Sequence, residues 1–120
     1  MGAEKEYVHE KHGNVVDEIR RSAPSEEEFM DLADLFKVFG DSSRIKILCA
    51  LFERELSVCC IADAAGISQS AASHQLRVLK ANHLVSYRKE GKEVYYRLAD
   101  DHVHEIYKMG LEHIREGREA

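Results

Sequence analysis

Long apolar runs are what this sequence most conspicuously lacks. None approaches the roughly 18 residues that a membrane span requires, so no membrane partner is expected. Met1 to Lys11 are charged and have no apolar centre, unlike a secretory leader. Gly2 is not set up for myristoylation either, because Glu6 stands where a hydroxyl residue is required. Cysteine is scarce: Cys49, Cys59 and Cys60 are odd in number and badly spaced for a disulfide framework. A cytosolic protein with thiols that are reduced or bind metal is expected. Proline occurs once, at Pro24.

What is present suits one soluble domain. The chain has 120 residues, 44% hydrophobic and 32% charged. Its net charge of −5 argues against a nucleic-acid partner only on average. Residues 1–34 carry ten acids against four bases, and residues 98–120 six against three. Residues 68–97 reverse the balance, with six bases against two acids. A basic segment inside an acidic chain is a nucleic-acid footprint that the total conceals.

Residues 1–24 read as a flexible arm, with a short helix over 14–21, and residues 25–120 as the folded domain. Ser25 with Glu28 is a capping box opening a helix with Phe29, Leu32, Phe36 and Phe39 on one side. Gly40 is expected at its C′ position. Asp41 caps the next helix, with Ile45, Leu48, Leu51 and Phe52 inward and Cys49 beside them as core. Ser57 opens a third helix that Gly66 stops, and Ser68 opens a fourth of about 13 residues. Two helices joined by so short a glycine turn form a helix-turn-helix.

On the fourth helix Ala72, Leu76 and Leu79 share the inward face. Gln69, Ser70, Ser73, His74 and Arg77 then face out, a set suited to base edges and phosphate. Asn82 and His83 shape the exit. The period changes to two over 84–89 and 92–98, with Glu90-Gly91 as the hairpin turn. Arg88, Lys89 and Lys92 crowd its tip as phosphate contacts of a wing, against the alternative of a solvated tip. A last helix begins at Asp100 or Asp101 and runs to about Glu116, with Val103, Ile106, Tyr107, Leu111 and Ile114 apolar. So small a domain has no cover for that stripe, and a twofold dimer is the economical solution.

Gly40 to Leu48 (GDSSRIKIL), Glu55 to Ala62 (ELSVCCIA), Ser68 to Lys80 (SQSAASHQLRVLK) and Leu84 to Tyr96 (LVSYRKEGKEVYY) together resemble the ArsR/SmtB family of metal-sensing repressors. The resemblance spans about residues 28 to 118. It implies a mainly α fold with a small β-hairpin wing, a winged helix-turn-helix homodimer. It further implies binding to double-stranded operator DNA when metal-free, release on metal binding, no enzymatic activity and no small organic substrate.

Asp100, His102, His113 and Glu116 lie on the last helix. His102 and His113 are eleven residues apart, leaving about 20° of rotation, so they share a face. They are also roughly 16 Å apart along the axis, too far for one zinc. An antiparallel partner helix brings His113 and Glu116 of one chain to Asp100 and His102 of the other, giving two inter-subunit sites per dimer. Spacing alone is equally compatible with a solvated polar face. The D-x-H and H-x-x-E pattern resembles the family's C-terminal-helix zinc site at all four positions. Cobalt, nickel or cadmium are alternatives to zinc. His104 reads as solvated surface. A second site is weaker: Cys59 and Cys60 stand where thiol-sensing relatives carry C-x-C, but its first position is Ser57. His9 or His12 are candidates to complete a mixed site there, and a soft-metal or redox sensor using Cys59 and Cys60 is the rival reading.

Overall fold

The computed structural model describes the backbone of residues 2–119 and the side chains of residues 12–118. The described elements run α1 (Gly2–Ser22), α2 (Glu26–Phe39), α3 (Ser42–Ala50), β1 (Leu56–Ser57), α4 (Val58–Ala65), α5 (Gln69–Ala81), β2 (Val85–Glu90), β3 (Glu93–Leu98) and α6 (Asp101–Glu119). They fall into two compact units that divide between Ala33 and Asp34, inside α2.

In the first unit α1 is longer than the helix expected over 14–21. The stretch before Gly13 holds three Glu and two Lys, all good helix formers, and no proline. Pro24 ends this run, since the residue before a proline avoids helical backbone. The capping box then forms as expected. The Glu28 N–H donates to Ser25 Oγ at 3.1 Å, and the Ser25 N–H donates to Glu28 Oε1 at 3.1 Å.

In the second unit Ile47, Leu48, Ile61, Leu76 and Leu79 are fully buried, joined by Leu51, Leu84, Val85 and Val103. The side of α2 turned to this core is rotated from the expected stripe. Val38 is buried, with Leu35 and Phe39 packed beside it, whereas Phe36 is exposed, as are Phe29 and Leu32 in the other unit. Gly40 does end α2, but not in the left-handed conformation expected of a C′ glycine. Its requirement is steric: a Cβ there would stand 3.2 Å from the Lys37 carbonyl oxygen. The Asp41 carboxylate accepts from the Arg44 N–H at 3.0 Å and caps α3.

The sheet has the order β1-β3-β2, all antiparallel. The two-residue strand β1 was not anticipated. It pairs Leu56 with Tyr96 and Ser57 with Tyr95. The hairpin turn lies one residue later than expected: Glu90 pairs with Glu93, so Gly91 and Lys92 form the turn, with Gly91 at φ +62°. Positive φ at the first central position is what glycine supplies there.

Candidate nucleic-acid interface and metal half-sites

Local capping fixes the helix-turn-helix. Ser57 Oγ accepts from the Cys60 N–H at 3.4 Å to start α4. Gly66, at φ +69°, ends it, and the Ile67 N–H donates to the Ala62 carbonyl at 3.0 Å. Ser68 Oγ accepts from the Ala71 N–H at 3.0 Å and starts α5 two residues after that glycine. Ala72, Leu76 and Leu79 are fully buried, as their spacing requires. Gln69, Ser70, His74 and Arg77 are exposed and Ser73 is half-buried. Arg44 braces this helix: its Nε donates to the Val38 carbonyl at 2.7 Å and its Nη1 to Gln75 Oε1 at 3.2 Å. At the exit the Asn82 amide donates to the Val78 carbonyl at 2.9 Å, and His83 takes φ +60°. Both shape the turn as expected.

The wing carries exposed Arg88, Lys89 and Lys92. Arg88 is not open to solvent on all sides. Its Nε and Nη2 lie 2.8 and 2.7 Å from Glu55 Oε1, and its Nη1 donates to Glu90 Oε2 at 2.7 Å. Its guanidinium carbon lies 4.7 Å over the Tyr95 ring. The hydrogen bond from Arg88 holds the Glu55 carboxyl below its ordinary range, and the bonds to Glu55 and Glu90 raise the arginine further. Glu55 stands 33 residues from Arg88, and only β1, too short to leave a period-two pattern, brings them together. That is why sequence reasoning missed it.

On α6, Asp100 and His102 come together. The Val103 N–H donates to Asp100 Oδ1 at 3.0 Å, which caps the helix, while Oδ2 lies 3.7 Å from His102 Nδ1. The cap therefore fixes the carboxylate and leaves one oxygen beside the imidazole. His113 and Glu116 are exposed three residues apart near the other end. Among the described residues no group of three or more His, Cys, Asp or Glu gathers within the chain. An oxygen–nitrogen pair thus lies at each end of α6, with the two pairs too far apart along the helix to share one metal within the chain. Of the apolar stripe expected on α6, Val103 is buried in the core, Ile106, Tyr107 and Leu111 are half-buried and only Ile114 is exposed, at 54%, while Met109, outside that stripe, is 64% exposed.

His104 is not plain solvated surface: its ring stacks on Phe52 at 3.7 Å between centroids. Cys49, expected in the core, is exposed beside a cavity of about 460 Å³ between α3 and α6. Ile47 and Leu48 take the core positions of α3 instead. The neighbouring Cys49 thiol, with partial burial, pushes the Tyr107 phenol up to about 12. Cys59 and Cys60 are exposed in the first turn of α4, and Ser57, at the first position of the C-x-C pattern, serves as the N-cap. His12 lies in the first unit, and the side chain of His9 lies outside the described residues.

Among the described residues no helix is long and apolar enough to cross a membrane. Residues 41–87 match the family described as bacterial regulatory protein, arsR family. A transcriptional repressor SmtB homolog from Synechocystis sp. is 39% identical over 105 residues, covering 88% of this chain and 80% of that protein. A cadmium resistance transcriptional regulatory protein, the CadC homolog of Staphylococcus aureus, is 40% identical over 112 residues, 92% of this chain and 88% of its own. The homodimeric winged helix-turn-helix DNA-binding domain of a possible ArsR-family regulator from Mycobacterium bovis superposes with a TM-score of 0.73 at 30% identity, covering 82% of this chain and 94% of that one. Similarity in sequence and in shape thus coincide over most of the chain, and the chain belongs to the ArsR/SmtB family of winged helix-turn-helix regulators.

Proposed function

We propose that this protein is a cytosolic, homodimeric repressor that binds operator DNA when metal-free and leaves it on binding zinc or a similar divalent transition metal. The observation that carries this reading is the split donor set of α6, with Asp100 and His102 at one end and His113 and Glu116 at the other. Two chains with antiparallel last helices complete two sites, each with two imidazoles and two carboxylates. Such a set suits zinc, cobalt or nickel, and its four protein ligands close the shell instead of leaving the open position that a hydrolytic zinc keeps. Gln69, Ser70, Ser73, His74 and Arg77 contact the major groove or adjacent phosphates, and the wing contacts phosphate. Asp100 follows β3 by two residues, so metal there fixes the last helices against each other and alters the spacing of the recognition helices. Release requires that metal favour the low-affinity arrangement, and DNA must weaken metal binding by the same factor.

A second reading has one observation in its favour, the exposed neighbouring thiols Cys59 and Cys60, which suit softer metals or a redox signal. One experiment separates them: operator binding measured by anisotropy while zinc, cobalt, nickel or cadmium is added. Wild type is expected to release DNA, and Cys59→Ser with Cys60→Ser to respond alike. Arg77→Ala is expected to lose operator affinity by roughly tenfold or more while keeping its zinc stoichiometry. Unchanged DNA affinity with every metal, or loss of the response in the cysteine variant, contradicts the α6 reading.

A further inference from the structure

The wing is not basic in the way its arginine and lysines suggest. Glu55, Glu90 and Glu93 stand among Arg88, Lys89, Lys92 and Arg97, so three acids offset most of four bases. The geometry at Arg88 is more restrictive than the charge count. A guanidinium binds phosphate best through a fork of two parallel N–H groups. Glu55 Oε1 occupies the Nε and Nη2 side, and Glu90 takes Nη1, so neither fork of Arg88 is vacant. Tyr95 closes one face of the group. Glu55 is held in place because it directly precedes β1, whose Ser57 pairs with Tyr95 on β3, and Tyr95 in turn pairs with Arg88 on β2.

We propose that Glu55 is a restraining residue of the wing: it sequesters Arg88 in the free protein and competes with DNA phosphate for it. The inference rests on the DNA-binding reading of α5 and the wing. Both side chains remain partly exposed, 49% for Arg88 and 30% for Glu55, so the pair is a surface ion pair of modest strength. Phosphate can displace it, and part of each wing's affinity is spent doing so. The consequence is a weaker grip on any duplex, which lowers non-specific binding and leaves base contacts of α5 to set operator choice.

The test is anisotropy with a mixed-sequence duplex over a salt series, because the restraint acts on phosphate and not on sequence. Glu55→Gln removes the carboxylate charge, and Glu55→Asp keeps the charge but shortens its reach. Glu55→Gln is expected to bind about threefold to tenfold tighter, with the gain largest at low salt, where the competing ion pair is least screened. Glu55→Asp is expected to gain in the same direction, which a general field effect does not predict. In an Arg88→Gln background the gain from Glu55→Gln should shrink markedly. Equal gains in both backgrounds, no gain for Glu55→Asp, or unchanged or weaker binding by Glu55→Gln overturns the proposal. Wild type that binds duplex with ordinary salt dependence beside an ungaining Glu55→Gln defeats the restraint alone. Wild type that binds no duplex at any salt defeats the DNA reading and the restraint together.

Discussion

Tyr107 and Cys49 show what a single pair of residues contributes and how little of it spacing reveals. The nearby Cys49 thiol, helped by partial burial, raises the phenol from 10.0 to about 12. A raised pKa means the folded state holds the proton more tightly. This contribution to stability is therefore complete below pH 10 and is lost as pH rises through about 12. Phenolate absorbance, taken as the difference between wild type and Tyr107→Phe, is expected to place the ionisation of this tyrosine near 12. Cys49→Ala should bring it back towards 10, and an unmoved titration would show that burial alone is the cause. In the sequence Cys49 read as core because it adjoins the apolar stripe of α3, and a residue one step off a stripe can fall on either side. His102, His113 and Glu116 were legible because they sit on one helix, where rotation and rise are fixed by residue number, and Asp100 because it caps that helix. Glu55 and Arg88 were not, since their meeting depends on sheet pairing across 33 residues.

Elements with chemical punctuation were the legible ones. Ser57, Gly66 and Ser68 each mark a boundary with a group that satisfies backbone donors or tolerates left-handed backbone, and the helix-turn-helix follows directly. Gly66→Ala tests this. Nothing lies within 4 Å of an added Cβ, so packing is indifferent and only the φ of +69° is at stake. A loss of about 1–2 kcal/mol in denaturant unfolding is expected from placing a Cβ in left-handed backbone. A neutral result would mean that the turn relaxes and that glycine is not what shapes it. The strand β1 had no such marker, and its two residues carry no detectable period. The hairpin turn was misplaced by one position because Glu90-Gly91 and Gly91-Lys92 both put a glycine between two period-two segments. Only the pairing of Glu90 with Glu93 decides. In α2 the apolar residues spread over too wide an arc to say which side meets the core.

At the scale of the whole molecule, charge and apolar surface both point beyond one chain. The basic stretch 68–97 coincides with α5 and the wing, and the acidic remainder lies elsewhere. Phe29, Met30, Leu32, Phe36, Met109 and Ile114 are exposed, more large apolar surface than an isolated small protein ordinarily leaves to water. The proposed metal donors repeat the pattern, with one pair at each end of α6. The central claim is thus that each site takes Asp100 and His102 from one chain and His113 and Glu116 from its partner. It is tested by refolding differently tagged His102→Ala and His113→Ala chains together, purifying the mixed dimer and counting tightly bound zinc. The two lesions then fall in the same site, leaving the other site intact, so one zinc per mixed dimer is predicted while each variant homodimer binds none. A mixed dimer with no tight zinc site would contradict the cross-chain pairing.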